Sequence, residues 1–408
     1  MKCRFCNNEL SITFVDLINS PPSNSILAVE ELNEPEIFFP LKIFICEKCF
    51  LVQIDEYKKS TEIFNDKYAY FSSFSKIWLE HSKKYVTEII KKLQLNENSF
   101  VVEIASNDGY LLQYFKGLCI PCLGIEPASN TAAVAKKKGI KVIEDFFGIR
   151  LAKELSSTTK KPDLLLGNNV LAHVPDINDF VEGLKLFLSE TGVITMEFPH
   201  LMQLVENNQF DTIYHEHFSY FSFFTVKAIF EAHNLALFDV EQLPTHGGSL
   251  RIYAKHIEDN SKEISIKVQE LIDLEFSKKM NSVEYYMNFQ KKVNDIKYKL
   301  VNFLIQQKVN KKKIIAYGAA AKGNTLLNYC GIKQDLIEFI VDISPFKQGK
   351  FLPGSHIPIK NESIIKNYKP DYIVILPWNI KDELMAQLDY IKEWGCKFVI
   401  PIPKMEIL

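Results

Sequence analysis

Several features common in other protein classes are missing from this chain of 408 residues. No apolar run approaches the roughly 18 residues of a membrane-spanning helix, so no membrane partner is expected. The opening MKCRFCNNEL holds no apolar leader core, and the expectation is a cytoplasmic protein. Neither sign of charge dominates: 48 Lys and Arg against 50 Asp and Glu leave a formal charge of −2. That balance argues against a nucleic-acid partner and against an acidic, disordered tail. No internal repeat or low-complexity segment stands out. Two Gly-containing turns lack the spacings that would name their ligands. The first has no G-x-G-x-x-G, and the second has no Gly-Lys-Ser/Thr order of a Walker loop.

What is present is an ordinary globular composition, 47% hydrophobic and 24% charged, in a length that suits two or three domains. Of eight cysteines, four form two C-x-x-C knuckles, Cys3 with Cys6 and Cys46 with Cys49. In a reducing compartment such paired turns read as one tetrahedral four-thiolate zinc site. A redox dithiol needs only one pair, and no basic recognition helix accompanies the knuckles. A zinc-binding module is therefore expected over residues 1–65, with the metal supplying part of the folding energy of a small core. Between the knuckles, strand-like runs at Phe38 to Phe39 and Leu41 to Ile45 are expected to be broken by Pro35 and Pro40.

Next comes NDKYAYFSSFSKIW, read as part of a linking helix. Its Tyr68, Tyr70 and serines, Ser73 among them, are either amphipathic packing or hydroxyls facing a polar ligand. From residue 96 the pattern alternates strand and helix: SFVVEIASNDGYLLQYF, CLGIEP, SNTAAVAKKKGI, KVIEDFF, PDLLLGNNVLAHVPD and TGVITMEFPH. Such a repeat predicts a parallel sheet with its ligand at the carboxyl ends of the strands. The first turn, Glu103 to Gly109, brings two acids and one Gly to a helix start, which suits a cationic, phosphate-free ligand better than a diphosphate. Glu126, ending the second strand about 20 residues on, is placed to chelate a ribose diol. Asp145 and Phe146 follow the third strand and are placed to pair with and pack on an adenine. That set describes a nucleoside site without phosphates, as S-adenosylmethionine requires.

Residues 259–310 read as amphipathic helices connecting domains. Residues 311–408 begin a second β-α series at IIAYGAAAKGNTLLN. The turn Gly318 to Thr325 brings small residues, Lys322 and a hydroxyl to a helix start, as a diphosphate cradle would; it also reads as a plain tight turn. Asp342, ending the next strand, is either a ribose ligand or a turn acid.

One stretch collects costly groups: IYHEHFSYFS, with Tyr214, His215, Glu216, His217 and Tyr220. Imidazoles, a carboxylate and phenols together offer a base near neutral pH, an orienting acid and an oxyanion donor. The bland alternative is a surface helix end with satisfied polar groups.

The order of twin knuckles, a methyltransferase-like domain, YHEHFSYFS, HGGSLR (His246 to Arg251) and GAAAKGNTLLN resembles the nucleotide-sugar C-methyltransferases. These S-adenosylmethionine-dependent enzymes methylate a ring carbon, typically carbon-3, of keto-deoxysugars. The resemblance covers essentially the whole chain. It implies an α/β fold: a zinc module, a Rossmann-like methyltransferase domain over 66–258, a helical connector over 259–310 and a second Rossmann-like domain over 311–408. It implies zinc on Cys3, Cys6, Cys46 and Cys49. It implies a cofactor pocket from Glu103, Ser106, Asn107, Asp108, Gly109, Tyr110, Glu126, Pro127, Asp145, Phe146 and Asn168. His217 matches the general base, and Tyr214, Glu216, His173 and Tyr68 match its partners. In that scheme Glu216 or a phenol orients His217, and Tyr214 or His173 donates to the enolate oxygen. Tyr70, Ser73, His246, Arg251, Lys322, Asn324 and Thr325 are the expected contacts to a nucleotide-diphosphate keto-sugar. A monomer or small homo-oligomer is expected. An NAD-dependent oxidoreductase and a non-catalytic zinc-knuckle scaffold are the rival readings.

Overall fold

The structure is a computed structural model that describes every residue except Lys67 and Ala69. Three sheets organise the chain. The first has the order β1 (Ile12–Ser20), β2 (Phe39–Ile45), β3 (Val52–Ile54), β9 (Ser219–Tyr220), and all its pairings are antiparallel. Pro40 does not break a strand here. It lies at the start of β2, and β3 pairs only from Ile43 onward, so its missing N–H interrupts no ladder on that side. The fourth strand comes from the end of the YHEHFSYFS stretch, where Tyr220 pairs with Val52. The zinc module and that stretch therefore share one sheet.

The second sheet has the order β10 (Leu235–Leu243), β11 (Ser249–His256), β8 (Val193–Pro199), β7 (Leu164–Asn168), β4 (Val101–Ile104), β5 (Cys122–Ile125), β6 (Lys141–Ile143). Strands β4 to β8 are parallel, and β10 and β11 add antiparallel to β8. The chain order reverses between β4 and β7, which opens a crevice at their carboxyl ends. The third sheet has the order β14 (Ile359–Lys360), β13 (Ile340–Val341), β12 (Ile314–Tyr317), β15 (Tyr372–Ile375), β16 (Lys397–Ile400), β17 (Glu406–Ile407). It is parallel except for β17. The protein is thus α/β, with two Rossmann-like sheets and a small N-terminal module.

Tyr68 and Tyr70 are not on a helix. The linking helix is Lys76–Leu93, capped by Ser75, whose Oγ accepts from the Trp78 amide. Ahead of it the chain forms a strap over the methyltransferase sheet. Asn107 accepts from Ser72 N and donates to Tyr70 O, while Asp108 accepts from Ser73 N. Asn130 donates to the carbonyl of Tyr68 at 2.7 Å.

The module's core is not its own. Phe14 of β1 stacks on Phe289 of the connector helix Phe289–Val309, with ring centroids 4.6 Å apart. One continuous hydrophobic cluster runs from Phe14 and Ile43 through Phe289 and Leu300 to Ile315 and Leu327. Burial shared in this way compensates for a unit too small to fold on its own apolar area. The other end of the connector is fixed by Glu275 of the helix Ile266–Ser277, fully buried, which accepts from the amides of Phe223 and Phe224 and pairs with His200 at 2.7 Å.

Candidate active site

The zinc residues converge. All four sulfurs of Cys3, Cys6, Cys46 and Cys49 lie within 4.8 Å of one another. The Cys3–Cys49 and Cys6–Cys46 pairs are 3.5 Å apart. Tetrahedral Zn–S bonds of about 2.3 Å need sulfurs roughly 3.8 Å apart, so the donor set fits the ion. Gln53 donates to the Cys3 sulfur at 3.2 Å, as an outer partner of a metal thiolate does.

Over the carboxyl ends of β4, β5 and β7 lies a cavity of about 480 Å³. Asn107, Tyr110, Glu126, Pro127, Asp145, Phe146 and Asn168 line it, as the sequence predicts. Glu103, Ser106, Asp108 and Gly109 do not reach it. They build the turn from behind. Gly109 has φ +74°, and a Cβ there would meet Ile140 at 2.4 Å, so only glycine lets the turn pack on that side chain. Glu103 is fully buried beside Tyr110, and burial pushes its carboxyl well above the usual range.

Glu126 has two tasks. Its oxygens accept from Asn107 N at 2.8 Å and Ala128 N at 2.9 Å, fixing both flanking turns. Each oxygen keeps a lone pair for a ligand. Asp145 accepts from Phe146 N and from Arg150 at 2.5 Å. Carboxylates for a diol or an ammonium, with Trp78, Tyr110 and Phe147 as aromatic walls, fit a nucleoside sulfonium. Trp78 and Asn169 escaped the sequence reading: Trp78 sits on the linking helix outside the strand–turn–helix units, and Asn169 is the residue after β7, where the reading stopped at Asn168. Asn169 has φ +55°, lines the cavity and donates to His246 Nε2 at 2.9 Å.

The cavity reaches the YHEH stretch through Tyr68 and His173, both of which line it. The His173 ring meets the His217 ring edge-on at 4.7 Å. His217 Nδ1–H donates to the carbonyl of Thr212 at 2.9 Å, so its Nε2 accepts from the Tyr214 hydroxyl at 2.7 Å. Burial, reinforced by the neighbouring His173, holds His217 well below the usual imidazole range. The orienting group is thus a backbone carbonyl and not Glu216. The Glu216 carboxylate is instead held by Asn24 Nδ2, at 2.8 and 2.9 Å to its two oxygens. Burial raises that carboxyl to about 7. His173 also departs from expectation. Its Nδ1–H donates to the Glu216 carbonyl at 2.7 Å, and burial pushes it down to about 4. Neutral, it has only an acceptor left at Nε2 and cannot donate to an enolate. His215 points away, between Phe39 and Tyr57 and towards the carbonyl of Pro40.

On the far side stands the C-terminal domain. Lys322, in the first turn of the helix Ala321–Cys330, lies 5.0 Å over the Trp378 ring and donates to Asn379 at 3.3 Å. Burial pushes its ammonium down while buried Asp211 opposes that shift, and its charge acts on His217 and His246. Asn324 is fully buried with neither end of its amide partnered. Thr325 spends its hydroxyl on the carbonyl of Ile213 at 2.9 Å, so it positions the YHEH stretch. Ser73 is spent on Lys138 and Asp108. Asp342 accepts from the amides of Ala319 and Ser344, which makes it a turn acid. Arg251 is the clearest correction. It is 3% exposed, bonded to Glu197 at 2.7 Å and Glu241 at 3.0 Å and laid over Tyr85. A guanidinium so committed holds β11 to its neighbours and is not presented to a substrate.

Comparison with known proteins agrees with this layout. Three family models match along the chain: "Putative zinc binding domain" at residues 3–64, "Methyltransferase domain" at 78–240 and "C-methyltransferase C-terminal domain" at 244–403. The C-methyltransferase NovU of Streptomyces niveus is 31% identical over 407 residues, covering 100% of this chain and 96% of its own. Among solved structures, an S-adenosylmethionine-dependent methyltransferase of Clostridium acetobutylicum overlaps 44% of this chain and 92% of its own, at 10% identity and a TM-score of 0.35. One from Anabaena variabilis overlaps 43% of this chain and 84% of its own, at 12% identity and a TM-score of 0.36. Neither overlap is close enough to decide a function. Among the described residues no helix is long and apolar enough to cross a membrane. With a relative at that identity over its whole length, and the three models in order along it, this chain belongs to the C-methyltransferase family.

Proposed function

We propose that the enzyme methylates a ring carbon, carbon-3, of a nucleotide-linked 4-keto-deoxysugar by way of an enolate. The observation that carries the reading is the Tyr214–His217 pair: a phenol 2.7 Å from a ring nitrogen whose other nitrogen is fixed on a carbonyl. Bound S-adenosylmethionine supplies an electrophilic methyl on a sulfonium. Glu126, Asp145 and the aromatic walls of the cavity hold that cofactor. His217 is kept neutral by burial, so at neutral pH its Nε2 lone pair is available to a proton. The proton of the carbon acid passes to Nε2 directly, or to the phenol oxygen as the phenol's own proton moves to Nε2. Tyr68 lines the cavity beside His173 and is the phenol that donates to the enolate oxygen. Lys322, with Asn324 behind it, faces the diphosphate of the substrate, and its charge further favours the enolate.

Mass spectrometry on a panel of 4-keto nucleotide sugars, incubated with enzyme and S-adenosylmethionine, tests the reading. A gain of one methyl that is abolished by prior reduction of the keto group to an alcohol supports it. Methylation that persists on the reduced sugars removes the enolate from the account.

A further inference from the structure

The residue that holds Glu216 belongs to a different domain. Asn24 follows β1 in the loop Pro21-Pro22-Ser23-Asn24, on the zinc module. Its amide nitrogen donates to both carboxylate oxygens of Glu216, which is 6% exposed, and no other hydrogen-bond donor to that carboxylate is found among the described residues. The loop has little freedom to let go. Ser23 is 2% exposed and lies 3.3 Å from Thr325 Oγ1, which itself donates to the carbonyl of Ile213. Leu27 and Phe351 exchange backbone hydrogen bonds at 2.9 Å, tying the loop's exit to the C-terminal domain. Pro21 packs so closely that a Cβ on Gly354 would lie 2.9 Å from its ring. The module therefore reaches the YHEH stretch through β9, through Phe39, Pro40 and Tyr57 around His215, and through Asn24.

We propose that Asn24 is a positioning residue of the methyl-transfer site, and that the zinc module serves catalysis by fixing the Glu216 carboxylate from outside the methyltransferase domain. The inference rests on the carbon-methylation reading above. A buried carboxylate needs donors to stay charged, and here the Asn24 amide is the donor. The other groups facing Glu216 are few. The Lys58 ammonium favours its charge, and its charge in turn acts on the phenols of Tyr68 and Tyr214. His173, neutral, bonds its backbone carbonyl. Burial already keeps both phenols protonated, with the charge on Glu216 adding to it, and a negative Glu216 beside Tyr214 favours the proton that the Tyr214–His217 pair takes up. The sign follows: a carboxyl titrating at about 7 loses its charge as pH falls through that value, and activity falls with it.

Two measurements on the full-length, zinc-loaded protein test this. The first needs no substrate: carbon-13 NMR of glutamate-labelled protein, with Glu216→Gln identifying the signal. Asn24→Ala is expected to raise the Glu216 midpoint by about one to two pH units, the worth of a charge-assisted hydrogen bond. Asn24→Asp, nearly isosteric and adding a like charge, is expected to raise it further. The second is the pH profile of methyl transfer to whichever keto-sugar the mass-spectrometric panel selects. Its acid limb should move up with the NMR midpoint in Asn24→Ala, with KM changed less than about threefold. In a Glu216→Gln background, Asn24→Ala should change the rate less than about twofold. An unmoved midpoint, or the same loss at every pH and in both backgrounds, overturns the proposal. If no keto-sugar is methylated but the midpoint moves, the clamp stands and the substrate reading fails.

Discussion

Two strand–helix turns in this chain occupy equivalent places in two Rossmann-like sheets and carry opposite chemistry. The turn after β4 is acidic. Its backbone passes through positive φ at Ala105, Asn107 and Gly109, Asp108 accepts from the Ser73 amide, Glu126 from the next strand accepts from Asn107 N, and Glu103 lies buried behind it. The turn after β12 is cationic. Gly318, at φ +90°, sits against Pro377, and Lys322 comes down over Trp378 beside the unpartnered Asn324. One scaffold thus carries acidic groups at one turn and a lysine at the other, which the proposed reading assigns to the sulfonium cofactor and to the substrate diphosphate. The YHEH stretch lies between them, touching His173 on one side and Thr325 on the other. Fold alone would have made the two turns equivalent; the side chains at their helix starts tell them apart.

The change that breaks both sites at once is expected to have the largest effect. Cys46→Ser removes a zinc ligand, and a structural zinc in small domains is worth about 10–16 kcal/mol. The wild type should carry about one zinc per chain by elemental analysis. The variant should lose it and become protease-sensitive across the shared sheet, β9 included. A metal-free wild type of normal stability would falsify that role.

The contrast between the turns predicts that damage at one spares the other. Glu126→Ala should weaken S-adenosylhomocysteine by roughly 10- to 100-fold in calorimetric titration, the cost of a lost charge-assisted hydrogen bond. The KM for the sugar should stay within about threefold. An unchanged dissociation constant would place the cofactor elsewhere. The smallest effect is expected at the second turn. Lys322→Ala should raise the KM for a nucleotide sugar about tenfold and leave S-adenosylhomocysteine binding alone. Equal effects on both ligands would mean the two turns serve one site.

Much of the fold was legible in the sequence, because a parallel β-α series, twin C-x-x-C knuckles and Gly-punctuated turns are local patterns. Tyr68 was not placed correctly, since the strap is held by Asn107, Asp108 and Asn130, contacts 35 to 62 residues apart along the chain. Arg251 could not be recognised as an ion-pair partner before Glu197 and Glu241 were brought beside it by sheet pairing. The YHEH stretch announced its chemistry but not its wiring. Which nitrogen of His217 is basic depends on the carbonyl of Thr212, and backbone acceptors carry no sequence signature. Asn24 was invisible for the same kind of reason: it lies 192 residues from the carboxylate it holds.

The central claim is that His217, working with Tyr214, removes a proton from the reacting carbon. Exchange of that proton with solvent deuterium, followed in the presence of S-adenosylhomocysteine, isolates this step from methyl transfer. The wild type is expected to exchange it, and His217→Ala to do so about 10²–10⁴-fold more slowly while still binding both ligands. Exchange at the wild-type rate in His217→Ala would assign the base to another residue.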